Sequence, residues 1–248
     1  MHISEGVLSL PVLAGGTGLA VAALAPALHR LPWQRIMSVG VLSAAFFVAS
    51  LIHVPLGPGN VHLIMNGLLG AVLGWAAIPA IAVSLLLQAV LFQFGGLTAL
   101  GVNICIMAFP AVFSGLLFRR FFVNEKTRPW AAFACGFTSI LLSAFLCALA
   151  LALSGEAFVV TAWTIFSAHI PIMFIEGFLT MTAVGCLAGA LPELLFDCPH
   201  DLHDSHGASS HAAKPVSGRS PHSTTQRNDA SIAPAPAADV PQGASHGA

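Results

Sequence analysis

The chain has 248 residues, 56% of them hydrophobic and only 8% charged, with a formal net charge of −1. A soluble domain carries roughly a quarter charged residues, so this composition excludes an ordinary soluble enzyme and specifies an integral membrane protein. The near-balanced charge also excludes a nucleic-acid-binding or polybasic surface.

A short lead, M-H-I-S-E-G, precedes the first apolar segment, Val7–Leu28. A crossing needs about 20 residues, so this segment can span. It has no basic stretch before it, as a signal peptide would, and is expected to be a retained helix. Ile36–His53 is the second candidate. Val61–Phe94 is one uncharged run, interrupted around Gly74–Pro79. Ile104–Phe118, Trp130–Leu153 and Trp163–Leu191 complete the set. Trp33, Trp75, Trp130 and Trp163 each fall near the edge of an apolar run, where an amphipathic ring favours the membrane interface. The cysteines Cys105, Cys135, Cys147, Cys186 and Cys198 form no C-x-x-C pair and are expected as small core-filling thiols.

The basic residues orient these segments. Arg30 and Arg35 separate the first two, and Arg119, Arg120, Lys126 and Arg128 follow the Ile104 segment. By the positive-inside rule both loops are cytoplasmic. Parity then requires Val61–Phe94 to cross twice, with Trp75–Pro79 as a tight inner turn and Pro79 in a first helical turn. The expectation is an all-α integral membrane protein of seven transmembrane helices, N-terminus outside and C-terminus cytoplasmic, over residues 1–196. Residues 1–6, 55–62, 95–103 and 154–162 lie outside on this reading, and none contains Lys or Arg. Residues 197–248 are rich in Ala, Ser, Pro, Gly and His. They are too polar to offset chain entropy and are expected to form a disordered cytoplasmic tail.

This topology puts two histidines on the same side. His2 directly follows Met1, and His62 follows the Gly/Pro-rich stretch Pro55-Leu-Gly-Pro-Gly-Asn60. Histidine is too large for methionine removal, so a free Met1 amine is expected. That amine, the His2 amide nitrogen and the His2 imidazole can close two fused chelate rings on one metal, and His62 can supply a fourth nitrogen. A planar nitrogen set suits nickel or copper better than cobalt, and all four donors must be deprotonated to bind. Taken singly, each histidine reads as an idle terminal or interface residue; their shared side favours the metal.

Four stretches now carry a resemblance: M-H-I-x-E-G at the start, V-H-L-I-M-N-G-L-L-G, G-G-L-T-A-L-G-V-N, and H-I-P-I-M-F-I-E-G-F-L-T. In this order and spacing the chain resembles the CbiM/NikM family, the membrane substrate-capture (S) components of energy-coupling factor (ECF) transporters for cobalt and nickel, over about residues 1–196. The resemblance implies a seven-helix S component. It also implies metal held by the Met1 amine, by His2 through amide and imidazole, and by His62. The chain departs from the family in its Pro/Gly loop before V-H-L, which is often Ser/Thr-rich, and in ending in a polar tail where some nickel members carry a fused extra segment.

Other polar residues support these. Glu176 lies within the last apolar segment, and an intramembrane carboxylate suggests function; a hydrogen-bonded structural role between helices competes. His169, seven residues earlier, shares its helix face and can orient a ligand. Glu5 balances the metal charge or pins the lead against the loops. Asn103, read as part of the L-G-V-N loop, is a supporting residue. His53 is expected to end the second helix as an interface histidine. Asn66 and Gln88 are expected to satisfy backbone or neighbouring groups. In the tail, His200, His203, His206 and His211 suit weak metal binding.

No G-x-x-x-x-G-K-[ST] motif is present, so ATP hydrolysis must come from other chains. The expected partners are a membrane coupling (T) subunit, ATPase (A) subunits and a small auxiliary membrane subunit, with no nucleic acid. The expected substrate is Ni²⁺ or Co²⁺, with no prosthetic group. Two alternatives differ in kind: a metal exporter or channel with a His-rich cytoplasmic tail, and a membrane haem protein ligated through His53, His62 or His169. The polar residues cluster toward one side, against a channel, and H-E-x-x-H is absent, against a metallohydrolase.

Overall fold

The computed structural model describes residues 3–56, 59–62, 64–121, 125–190 and 195, with backbone alone at 53–56 and 59–62. Met1, His2 and the expected tail, with its His200, His203, His206 and His211, lie outside the described residues. In chain order the elements are α1 (Leu10–His29), α2 (Ile36–Ser50), β1 (His53–Leu56), β2 (Gly59–His62), α3 (Asn66–Leu73), α4 (Ala77–Phe92), α5 (Leu100–Phe121), α6 (Arg128–Ser154), α7 (Val159–Ala168) and α8 (Ile170–Ala190). Among the described residues, six helical stretches are long and apolar enough to cross a membrane: Leu10–His29, Trp33–Ser50, Asn66–Phe92, Leu100–Phe121, Arg128–Ser154 and Glu156–Ala190.

Large apolar side chains such as Leu19, Val41, Val90, Phe113 and Trp163 face outward, while Ser84, Gln88, Asn103, Ser139 and Glu176 are buried. A soluble protein rarely exposes so much contiguous apolar surface. A membrane protein does so because lipid solvates that surface, and polar groups turn inward toward partners. The bundle is centred on α5, which packs against α1, α3, α4 and α6; α6 in turn packs against α7 and α8.

Small residues set how closely these helices approach. A Cβ on Gly70 would drive into the Ala111 carbonyl, and one on Gly115 into the backbone of Gly70. A Cβ on Gly101 would meet Thr17, and one on Gly16 would meet Val102, so α1 and α5 touch backbone to backbone. Gly67 lies against Gly136 between α3 and α6. Close packing of this kind drives helix association where no water-exclusion force operates between helices.

Asn66 meets Met107, Gly70 meets Ala111, and Gly74 meets Arg119. The contacts advance in the same sense along both helices, so α3 and α5 run parallel. Ser43 bonds Ala80 and Ser84, and the Phe47 ring packs at a tilt against Phe92, so α2 and α4 also run parallel. Between α6 and α8 the order is reversed: Phe133 meets Phe178 and Phe137 meets Phe174, with ring centroids 5.0 and 5.2 Å apart.

Several boundaries differ from those expected. The interruption expected around Gly74–Pro79 is a 3₁₀ turn at Gly74–Ala76, entered through Gly74 at φ +59°; Pro79 falls in the first turn of α4. The second helix stops at Ser50, where the Ser50 hydroxyl donates to the Phe47 carbonyl, so His53 opens a strand instead of ending a helix. The fifth helix begins at Leu100, four residues before Ile104, because Gly101 and Val102 dock on α1. Asn103 is therefore helical and not in a loop. Residues 154–162 are mostly helical, a 3₁₀ turn at Glu156–Phe158 leading into α7. His169 sits at the junction of α7 and α8, two residues before Pro171, which removes a backbone donor and interrupts the helix. Cys105, Cys135, Cys147 and Cys186 are free thiols; Cys135 and Cys147 fill the core, but Cys186 is exposed.

Gly70→Ala should lower the thermal midpoint of the detergent-purified protein, since overpacking a fixed backbone contact costs about 1–3 kcal/mol. Gly18→Ala, where a methyl meets nothing within 4 Å, should leave it unchanged or raise it.

Candidate metal-capture site

Two backbone segments are anchored at the end of the bundle where α5 begins. The first is the N-terminal lead. Asn103 Oδ1 accepts from the Ile3 N–H (3.0 Å), and Asn103 Nδ2 donates to the Ile3 carbonyl (3.2 Å). This reciprocal pair satisfies both backbone groups of Ile3, as a strand partner would, and both residues are buried. Two residues on, Glu5 Oε1 accepts from the Thr98 N–H at 3.0 Å. Gly96, at φ +76°, permits this approach because a Cβ there would overlap the Glu5 side chain. The Ser9 N–H donates to Ser154 Oγ at 3.2 Å. The lead is thus held by α5, by the loop before it, and by the end of α6.

The second segment follows the β1–β2 hairpin, in which His53 and His62 are directly opposed in the antiparallel register. Two residues beyond His62 the backbone reaches Glu176, which is 1% exposed. Glu176 Oε1 accepts from the Ile64 N–H, and both carboxylate oxygens accept from the Met65 N–H (3.1 and 3.0 Å). Met65 precedes α3 in a left-handed conformation, φ 52°. That conformation is costly for a non-glycine residue, and the carboxylate offsets the cost. The geometry is that of a cap, since acceptor oxygens at a helix N-terminus satisfy N–H groups that have no partner within the helix.

Glu176 therefore meets backbone amides, and His169 takes a different role from a shared helix face with it. His169 is buried, and its Nδ1 lies 2.6 Å from the Ile165 carbonyl. A carbonyl only accepts, so the hydrogen on Nδ1 is committed to its own helix. Asn66 Nδ2 donates to Ser143 Oγ (2.9 Å), a neighbouring partner of the kind expected, whereas neither end of the buried Gln88 amide is partnered. Among the described residues no group of three or more His, Cys, Asp or Glu side chains gathers into a cluster; His2 and the His62 side chain are outside that set.

Sequence reasoning did not find Ser154, Thr98 and Gly96 as holders of the lead, nor Arg119 as a cap. Arg119 Nη2 donates to the Val72 carbonyl (3.1 Å) and approaches that of Ala71 (3.5 Å) at the end of α3. Glu5 and Asn103 were signalled as polar residues among apolar neighbours, and Gly96 by the Gly95-Gly96 pair; Thr98 and Ser154 carried no signal.

Fold and site together define a multi-pass helical membrane protein that fixes two short backbone segments at one end of its bundle. Residues 2–194 match the model of CbiM, the cobalt uptake substrate-specific transmembrane region. The chain belongs to that family, which is a metal transport component and not an enzyme. It is 40% identical over 199 residues to a Haemophilus influenzae protein named provisionally for metal transport, covering 79% of this chain and 97% of that one. It is 31% identical over 212 residues to the cobalt transport protein CbiM of Sorangium cellulosum, covering 79% and 94%. The crystal structure of a transition metal transporter superposes with a TM-score of 0.67 at 26% identity, covering 76% of this chain and 93% of the other.

The Glu5 carboxyl is held below the ordinary carboxylate range, chiefly by the Thr98 backbone N–H. A depressed value means the contact persists at neutral pH and is lost only in acid, as pH falls below the ordinary carboxylate range. Amide exchange at Thr98, corrected for intrinsic rates, should therefore rise in acid, and Glu5→Gln should raise it at neutral pH. Glu176→Leu removes both acceptor oxygens from the Ile64 and Met65 N–H groups. Leaving a buried donor without its acceptor costs about 1–3 kcal/mol, so exchange at Ile64 and Met65 should accelerate about fivefold or more.

Proposed function

We propose that this protein is the substrate-capture component of an ATP-driven ECF uptake transporter, taking Ni²⁺ or Co²⁺ at the outer face through the Met1 amine, His2 and His62. The observation that carries this reading is the paired anchorage: Asn103 grips the residue next to His2, and Glu176 grips the backbone two residues after His62. Adjacent Cα atoms lie about 3.8 Å apart, so a clamp on Ile3 also limits where His2 can go. Holding Ile3 and Met65 near the proposed ligands reduces the ordering that chelation requires, and pre-organisation of this kind strengthens binding. Glu5, Asn103, His169 and Glu176 act as supports around the ligands.

The family membership supports cobalt or nickel as the cargo, written as substrate and not as a resident cofactor. In this proposal the bundle makes seven crossings, with the N-terminus outside and the C-terminus cytoplasmic. The opposed directions of α3 and α4 support a reversal at Gly74, given α2 leading away from Arg35 and α5 leading toward Arg119. With only eight residues, α3 is about 12 Å long, too short to cross alone, but all of its residues are buried, so protein and not lipid surrounds it. ATP-driven coupling comes from a membrane T subunit and ATPase A subunits, with a small auxiliary membrane subunit. The tail, residues 197–248, is cytoplasmic, and His200, His203, His206 and His211 bind metal weakly there.

The test is titration of purified protein with Ni²⁺ and Co²⁺, beside a version carrying one extra alanine before Met1. The native protein should bind one metal tightly and the extended one should not, because the amine moves by one residue while every side chain stays. Equal binding by both would remove the amine from the ligand set, and no binding by either would remove capture altogether.

A further inference from the structure

Several hydroxyls in these helices follow one habit. Thr138 donates to Ala134, Ser154 to Ala150, Thr164 to Val160, Thr182 to Phe178 and Ser84 to Ala80, each to a carbonyl one turn back. In lipid this is the local way to satisfy a hydroxyl. Ser139 on α6 and Thr180 on α8 depart from it. Both are buried, at 0% and 1% exposure, and neither oxygen has a partner.

A third unpartnered oxygen belongs to the same seam. Asn66, the first residue of α3, is fully buried and spends its Nδ2 on Ser143 Oγ and toward the Met107 carbonyl, which fixes the orientation of the amide. Its Oδ1 is left without a donor. Ser143 stands one turn from Ser139 on α6, and Thr180 stands one turn from Glu176 on α8. A Cβ on Gly136 would meet Thr180 Oγ1, and Gly67 packs on Gly136, so α3, α6 and α8 come together at this level.

One acceptor and two hydroxyls from three helices suit a small neutral ligand that both donates and accepts. A transition-metal ion prefers nitrogen or sulfur, and the Glu176 carboxylate here is already engaged by two backbone N–H groups. A buried water typically makes about three hydrogen bonds to polar groups that have no other partner. We propose that the seam between α3, α6 and α8 is a binding site for ordered water, which donates to Asn66 Oδ1 and bonds Ser139 Oγ and Thr180 Oγ1. This water gives α3 a third attachment beside those that Glu176 and Arg119 make at its ends. The site stands whether or not the chain captures metal.

Radiolytic hydroxyl labelling of the full-length protein, with oxygen-18 water mixed in at increasing delays, tests it. Met107 and Met173 are at most 2% exposed, whereas Met37 is 77% exposed. The expected result is oxidation at Met107 or Met173 in spite of burial, with oxygen-18 arriving there later than at Met37. In the Ser139→Ala/Thr180→Val double variant that buried oxidation should be lost while Met37 is unchanged. Ser139→Thr/Thr180→Ser, which keeps both hydroxyls, should retain it and separates loss of water from loss of fold. No buried oxidation in the native protein, oxygen-18 arrival as fast as at Met37, or unchanged oxidation in the double variant with its hydroxyls removed would each overturn the proposal. None of these readings depends on nickel or cobalt being bound.

Discussion

The structure hangs on an eight-residue helix held at its two ends by a buried carboxyl group and an arginine. Glu176 takes the N–H groups leading into α3, and Arg119 takes the carbonyls at its close. Each group suits the end it meets, an acceptor for the unpaired N–H groups and a donor for the unpaired carbonyls. A helix this short is marginal in isolation, and this one has neither a capping side chain of its own nor a charged residue. Its stability comes from outside itself: carboxylate, guanidinium, and glycine contacts that bring α5 and α6 against its backbone.

That arrangement links distant parts of the chain. Glu176 stands 112 residues from Ile64 in sequence, and Asn103 stands 100 residues from Ile3. Each is a buried polar group on a long helix reaching a segment that is not helical. The helices α5 and α8 act as rigid posts, and their polar residues fix two short stretches of backbone that nothing local would fix. A site carried on such stretches gains its order from the bundle. This is why a carboxylate within a membrane helix, which is costly to bury alone, is retained here.

Much of this was legible from residue order. Composition specified the membrane, the arginines separated the segments, and the four motif stretches led to the family that the comparison with CbiM shows. Glu5, Asn103 and Glu176 were noticed because polar residues among apolar neighbours stand out. Their partners were not legible. The expected boundary at Ile104 failed because hydropathy marks where a segment becomes apolar, while the helix itself starts where Gly101 docks on Thr17. His169 and Glu176 were placed on one helix by spacing alone; Pro171 and the turn at His169 divide it.

Sequence by itself determined the class of protein, the positions of the long apolar segments, and the residue types that can bind a metal through nitrogen. These follow from local quantities: transfer free energy along a run, charge beside it, and the chemistry of single side chains. Only the tertiary structure decided that Asn103 holds Ile3, that Glu176 holds Ile64 and Met65 through backbone amides, and that Arg119 closes α3. Those pairings join residues far apart in the chain, and a buried donor or acceptor is satisfied by whatever packing brings within about 3 Å, which no local pattern encodes.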